Sequence, residues 1–331
     1  MSQPTVLPST VASTQGRATG IALVLGSAVV WSFGGTLARF LEIDDSWIIV
    51  FWRSIFAALF LIAFMLVRDG ASNMSRLFRD MGWPGVAVGC CFATASTSFV
   101  LALAYTTVAN ILLVQAGVPL IAALMSWVLF REGVSQLTVL AIAAVIAGVL
   151  VMVSDSLTGA VSPVGDALAL LIALAFACAT VITRRYADVR MTPAACLGTL
   201  IAATIAATQA SGFAVTPSEL GILIAFGALN FGLGLALFVT GARLLPSALA
   251  ALLGTVETVL APLWVAVIHD EIPRANTIIG GSIVLFALFA YLAVELWRNA
   301  GCAPKLEQIR VVLDKTGQNL EADRATGKNE R

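Results

Sequence analysis

Residues 46–67, SWIIVFWRSIFAALFLIAFMLV, stay apolar over the full thickness of a bilayer and carry a single charge, Arg53. A hydrocarbon core of about 30 Å takes roughly 20 apolar residues of helix. In lipid a backbone must also satisfy its own hydrogen bonds, which leaves only helices and closed barrels. Charges and turn formers cut the chain into about ten such pieces, near 20–40, 46–67, 82–104, 108–130, 135–153, 164–184, 192–210, 219–241, 246–268 and 275–297. Their apolar residues run continuously instead of alternating, so the segments are expected to be helices and not barrel strands. The expected fold is an all-α integral membrane protein with about ten transmembrane helices.

Composition agrees, with 59% hydrophobic and 11% charged residues and a mean hydropathy of +0.95; soluble domains carry about 25% charged residues. The formal net charge is zero, so nothing points to nucleic acid. The five cysteines show no metal-type spacing, the one histidine is His269, and no HExxH or GxGD motif occurs. No metal, no cofactor and no enzymatic activity are expected.

Loop charges give the orientation. If the N-terminus is cytoplasmic, Arg39 and Arg274 alone lie outside. Arg17, Arg68, Arg76, Arg79, Arg131, Arg184, Arg185, Arg190, Arg243 and all the basic residues after 297 lie inside. The positive-inside rule therefore predicts a cytoplasmic (inner) membrane protein with both termini cytoplasmic. Residues 1–19 are expected to be a polar cytoplasmic arm, and 298–331 a charged, largely solvated tail with one amphipathic patch at Leu306, Ile309 and Val312.

The second half repeats the first. VPLIAALMSWVLFREGVSQ (118–136) aligns with ETVLAPLWVAVIHDEIPRA (257–275), and LAYTTVANILL with ARLLPSALAAL, both at an offset of 139; WSFGGTLARF meets FACATVITRR at 145. This sets a first five-helix repeat at 20–153 and a second at 164–297. Five is odd, so the second copy enters from the opposite side and the repeats are inverted. Inverted repeats suit a secondary transporter, in which two antiparallel copies rock about a shared midplane site.

VVWSFGGTLARF, FWRSIFAAL, PLIAALMSWVLFREGVS and ETVLAPLWVAVIHDEIP together resemble the EamA family of the drug/metabolite transporter superfamily over residues 20–297. That resemblance implies ten helices in two inverted five-helix repeats and transport of a small, amino-acid-like or otherwise amphiphilic metabolite, with export favoured over uptake. One departure is visible, since the family's Glu-Pro in the ninth span reads Glu257-Thr258 here and the proline falls at Pro262.

Deep polar residues are the candidates for a substrate site, because a charge at the bilayer centre costs about 2.5–3.5 kcal/mol on insertion scales. Arg53 lies about 10 Å into its span and Glu257 near the middle of the ninth. Both could face a central cavity, with Glu257 meeting substrate or a proton and Arg53 an anionic group or Glu257 itself. A static ion pair or a snorkelling arginine is the structural alternative. Trp31 sits mid-span, where its N–H wants a partner, and Asn110, Gln115 and Asn230 add amides that bind either ligand or neighbouring helices. Pro119 and Pro262 are expected to kink their helices. The partners expected are a small-molecule substrate, the lipid bilayer and, through Glu257, a proton; oligomeric state is not legible. A carrier and a passive metabolite channel would both use such residues.

Overall fold

The computed structural model describes residues 14–130, 136–157, 162–186, 188–244, 247–270 and, with single-residue gaps, 272–294. Among these the regular structure is entirely helical: α1 (Thr14–Ser32), α2 (Gly34–Arg39), α3 (Ser46–Asp69), α4 (Ala71–Asp80), α5 (Gly82–Ala102), α6 (Val108–Gln115), α7 (Val118–Phe130), α8 (Gln136–Leu157), α9 (Pro163–Arg185), α10 (Thr192–Gln209), α11 (Pro217–Ile224), a π-helical turn (Ala225–Gly232), α12 (Leu233–Gly241) and α13 (Ser247–His269). Six helices are long and apolar enough to cross a membrane, and Val108–Ala122, Val139–Gly148, Val256–His269 and Ile278–Tyr291 supply four shorter apolar ones in the expected order. The helix of the first span begins before the span itself, since α1 covers Thr14–Thr19 of the expected polar arm while the apolar stretch starts at Ala18. The rest of that arm and the tail with its amphipathic patch lie outside the described residues.

Local chemistry sets the helix ends. Thr107 caps α6 by accepting from the Asn110 amide at 3.2 Å, and Thr216 and Glu219 form a reciprocal capping box on α11. Prolines open α9, α10 and α11 in the first turn, where their missing N–H costs nothing. The stretch between the second and third spans is not a plain loop: α4 turns Met74 and Phe78 toward Met65 and Met81, while Arg76 and Asp80 pair in the open at 3.4 Å. Short, basic and apolar on one face, it has the composition of a helix lying in the membrane interface.

Packing repeats the duplication seen in the sequence. α5 lies on α9 as α1 lies on α12; α5 lies on α10 as the π turn lies on α3; and α9 lies on α6 and α7 as α1 lies on α13. The α3–α10 and α6–α13 contacts are their own mates. Such pairing is what a twofold exchange of two inverted five-helix repeats produces. At one mated joint a Cβ on Gly198 would meet the Gly89 carbonyl at 2.7 Å; at the other a Cβ on Gly227 would meet the Arg53 carbonyl at 2.5 Å. Only glycine lets these backbones approach so closely.

The copies differ at three interruptions. The first span breaks at Phe33 between α1 and α2, the fourth at Ala116–Gly117 between α6 and α7, and the eighth widens into the π turn. Pro119 accounts for the second break, since it cannot donate to the Gln115 carbonyl four residues back. No break falls at Pro262: α13 is continuous from Ser247 to His269.

Asp45 shows how one end of the bundle is tied. Its Oδ1 accepts from the Trp47 amide at 2.9 Å as the cap of α3, and its Oδ2 accepts from both the amide and the hydroxyl of Ser211 at 2.8 Å. The Ser211 amide above all, opposed by partial burial and helped by the Ser211 hydroxyl and the Trp47 amide, holds this carboxyl below its ordinary range. A lowered folded-state pKa means the stabilisation is complete above the unfolded value of about 3.9 and is lost as pH falls through the folded one. Wild type is therefore expected to melt above Asp45→Asn in detergent at neutral pH, with the gap shrinking between about pH 5 and pH 3. A gap that does not change with pH would show that the carboxylate charge contributes nothing.

Candidate functional site

The break in the first span exposes backbone at membrane depth, and that backbone must find donors. Ser32 Oγ donates to the Val29 carbonyl at 2.6 Å, and Asn230 Nδ2, from the π turn, reaches the carbonyls of Val30 at 2.5 Å and Trp31 at 3.4 Å. Asn230 therefore joins the two interruptions across the repeats. Gly34 leaves room for it, since a Cβ there would sit 3.1 Å from Asn230 Oδ1. Trp31 tilts against Phe238 with ring centroids 5.4 Å apart, and its indole lies across Gly234, where no Cβ fits. Its Nε1 is buried against Gly234 and finds no acceptor among the described residues.

α13 forms the facing wall. It packs on α1, α2 and α6, and Trp264 Nε1 donates to Ser32 Oγ at 3.2 Å while its ring stacks on Phe33 at 5.2 Å. Glu257 stands seven residues earlier on α13, about 10 Å along the helix from Trp264. It is half-buried, and no described residue bonds or pairs with its carboxylate. A Cβ at Gly254, one turn away, would meet nothing within 4 Å. Across from α13, Gln115 ends α6 just before the fourth-span break, with its Nε2 buried and without a partner among the described residues.

Two sequence candidates fall elsewhere. Arg53 is sealed at 5% exposure, its guanidinium carbon 4.1 Å from the ring centroid of Phe231, 4.5 Å from Phe226 and 5.7 Å from Phe99. Nη1 donates to Ser96 Oγ at 2.9 Å and to its carbonyl at 3.4 Å. No described acid pairs with Arg53, so the ion pair with Glu257 is not formed. Three phenyl faces hold the cation instead. Asn110 sits at the start of α6, where its Nδ2 donates to Thr106 Oγ1 at 3.1 Å and to Asp166 Oδ1 at 2.6 Å.

Sequence reasoning missed Asp166, because it lies in the first turn of α9 and reads as a boundary charge; it is 3% exposed. Trp264 and Ser32 were missed as well, since neither stands out by hydropathy. Among the described residues no cluster of His, Cys, Asp and Glu could hold a metal ion. An apolar groove of about 410 Å³ between the fifth and tenth spans, lined by residues such as Leu140, Ala144, Phe286 and Tyr291, contains none of these polar groups.

Comparison with known proteins agrees with this architecture. The model of the EamA-like transporter family matches residues 18–154 and again 163–293. A solved structure described only as the crystal structure of a protein superposes with a TM-score of 0.61 at 19% identity, covering 84% of this chain and 98% of its own. At that identity the likeness concerns the fold alone. A search of curated proteins returned no match.

Proposed function

The chain belongs to the EamA-like transporter family, and on that premise we propose that it carries a small organic solute across the cytoplasmic membrane by alternating access, in the direction of export. Transport of small solutes through a lipid bilayer by a multi-pass membrane protein follows from the family. The amino-acid-like or otherwise amphiphilic character of the solute, the direction, and an orientation with both termini cytoplasmic are our reading of the loop charges and the site.

We assign the substrate site to Trp31, Gln115, Asn230 and Glu257. The observation that carries it is Glu257, a half-buried carboxylate in the middle of a span with no described partner and open space one turn away. A lone intramembrane acid is costly unless ligand, water or a proton meets it. Glu257 is then the group that pairs with a substrate ammonium or accepts a proton when the site is empty. Trp31 offers an aromatic wall, Gln115 offers an amide with no described partner, and Asn230 holds the broken backbone in place. Arg53 supports the scaffold and does not touch substrate.

Purified protein in liposomes tests the mechanism once a substrate has been picked out by comparing metabolites of cells with and without it. Flux is expected to saturate, and unlabelled substrate on the far side should accelerate entry of labelled substrate. Flux that rises linearly with concentration and ignores trans solute would replace the carrier with a pore.

A further inference from the structure

A second polar network lies away from the substrate site, on the face where the first span ends and the fourth and sixth begin. Arg39, the last residue of α2, donates from Nη1 to the Leu103 carbonyl at 3.0 Å and from Nη2 to the Thr106 carbonyl at 3.4 Å. This fixes the turn between the third and fourth spans. From that turn Thr106 Oγ1 accepts one hydrogen of Asn110 Nδ2, and the other goes across to Asp166 Oδ1 at 2.6 Å. Thr106, Asn110 and Asp166 are each at most 8% exposed. Gly165 presses against the same turn, where a Cβ would lie 2.7 Å from Thr106 Cβ.

The bond from Asn110 to Asp166 crosses from one repeat to the other, which gives the network its consequence. Two repeats that rock must part on one face before substrate can enter from it, and this contact then has to break. The opposite face is also tied across the repeats, by Arg190 Nη1 and Asp69 Oδ1 at 2.6 Å, but that pair is open to solvent and contributes little, whereas the bond described here is buried. At the repeat offsets Thr106 corresponds to Leu245, Asn110 to Leu249 and Asp166 to Ile21, none of which can make such a bond. We propose that the Asn110–Asp166 bond, braced by Arg39 and Thr106, is the buried gate of this face, beside the exposed Asp45–Ser211 tie, and that it biases the resting carrier toward closure on this side. The proposal rests on the alternating-access reading above.

Distances measured without any substrate test it. In a chain with its own cysteines replaced, spin labels at Tyr105 and Val164 flank the gate, and labels at Val67 and Tyr186 report on the opposite face; all four positions are exposed. Asn110→Ala, which removes the bond, is expected to raise the fraction of long 105–164 distances about tenfold, and Asp166→Asn, which weakens it by removing the acceptor's charge, to raise it by a smaller factor, while the 67–186 distance shortens in both. Asp166→Asn keeps the shape of the site and provides the reading if Asn110→Ala does not fold. Folded variants whose 105–164 distribution matches wild type, with only a lowered melting temperature, would overturn the gate and leave the network as helix glue. If the 105–164 pair opens while 67–186 stays unchanged, the gate stands and alternating access falls.

Discussion

Arg53→Ala is expected to leave little folded protein in the membrane. Each of the close phenyl faces contributes on the order of 1–2 kcal/mol to a desolvated cation, and the Ser96 bonds about 1.5–3 kcal/mol more. Their sum is comparable with the few kcal/mol by which most proteins are stable at all. The cage also draws on three spans: Phe99 comes from α5, Phe226 and Phe231 from the π turn, and Arg53 itself from α3. Removing the guanidinium empties the joint where α3 and the π turn come closest. The measurement is the monodisperse fraction in size-exclusion chromatography together with the melting temperature. Glu257→Gln should not rescue the variant, because no ion pair joins the two residues. A rescue, or a normal yield of Arg53→Ala, would refute the cage as the reason the arginine is tolerated.

Glu257→Gln should have the opposite profile. The amide keeps the shape of the side chain, and no described partner loses a bond, so abundance and melting temperature are expected to stay near wild type. Transport should fall about ten- to a hundredfold, the loss that goes with removing a charge-assisted interaction of about 1.5–3 kcal/mol, and its dependence on pH should flatten. A variant that transports at the wild-type rate across that pH range would make Glu257 a structural residue and move the substrate site elsewhere. The two substitutions together separate holding the bundle from handling the solute.

The ten spans and the duplication were legible in the sequence because each depends on local composition, and Glu257 stood out by hydropathy as the candidate that our proposed site is built on. The partners were not. Phe99, Phe226 and Phe231 are ordinary apolar residues until three helices are packed, so the sequence offered Arg53 a carboxylate where the fold supplies rings. Asn110 looked like a residue of the cavity because an amide within a span says nothing about depth along the packed helix or about which neighbour it faces. The break at Phe33 had a local hint in Gly34 and Gly35, whereas the π turn at Ala225–Gly232 had none, since its extra width is filled by Asn230 reaching another span.

The interruptions at Phe33, at Ala116–Gly117 and in the π turn have unbroken counterparts, because Cys178 lies within α9, residues 255 and 256 within α13 and residues 86–93 within α5. On the alternating-access reading proposed above, the inward-open and outward-open forms are therefore not mirror images, and half-saturation concentrations and maximal rates should differ between the two sides. Detailed balance limits that freedom. For an uncoupled carrier at zero membrane potential, the ratio of maximal rate to half-saturation concentration must be equal in both directions, however unlike the two forms are, because at equal concentrations no net flow can arise. Unequal ratios measured in the same liposomes would require a second, thermodynamically coupled solute, so initial rates alone can reveal coupling before any coupling ion has been identified.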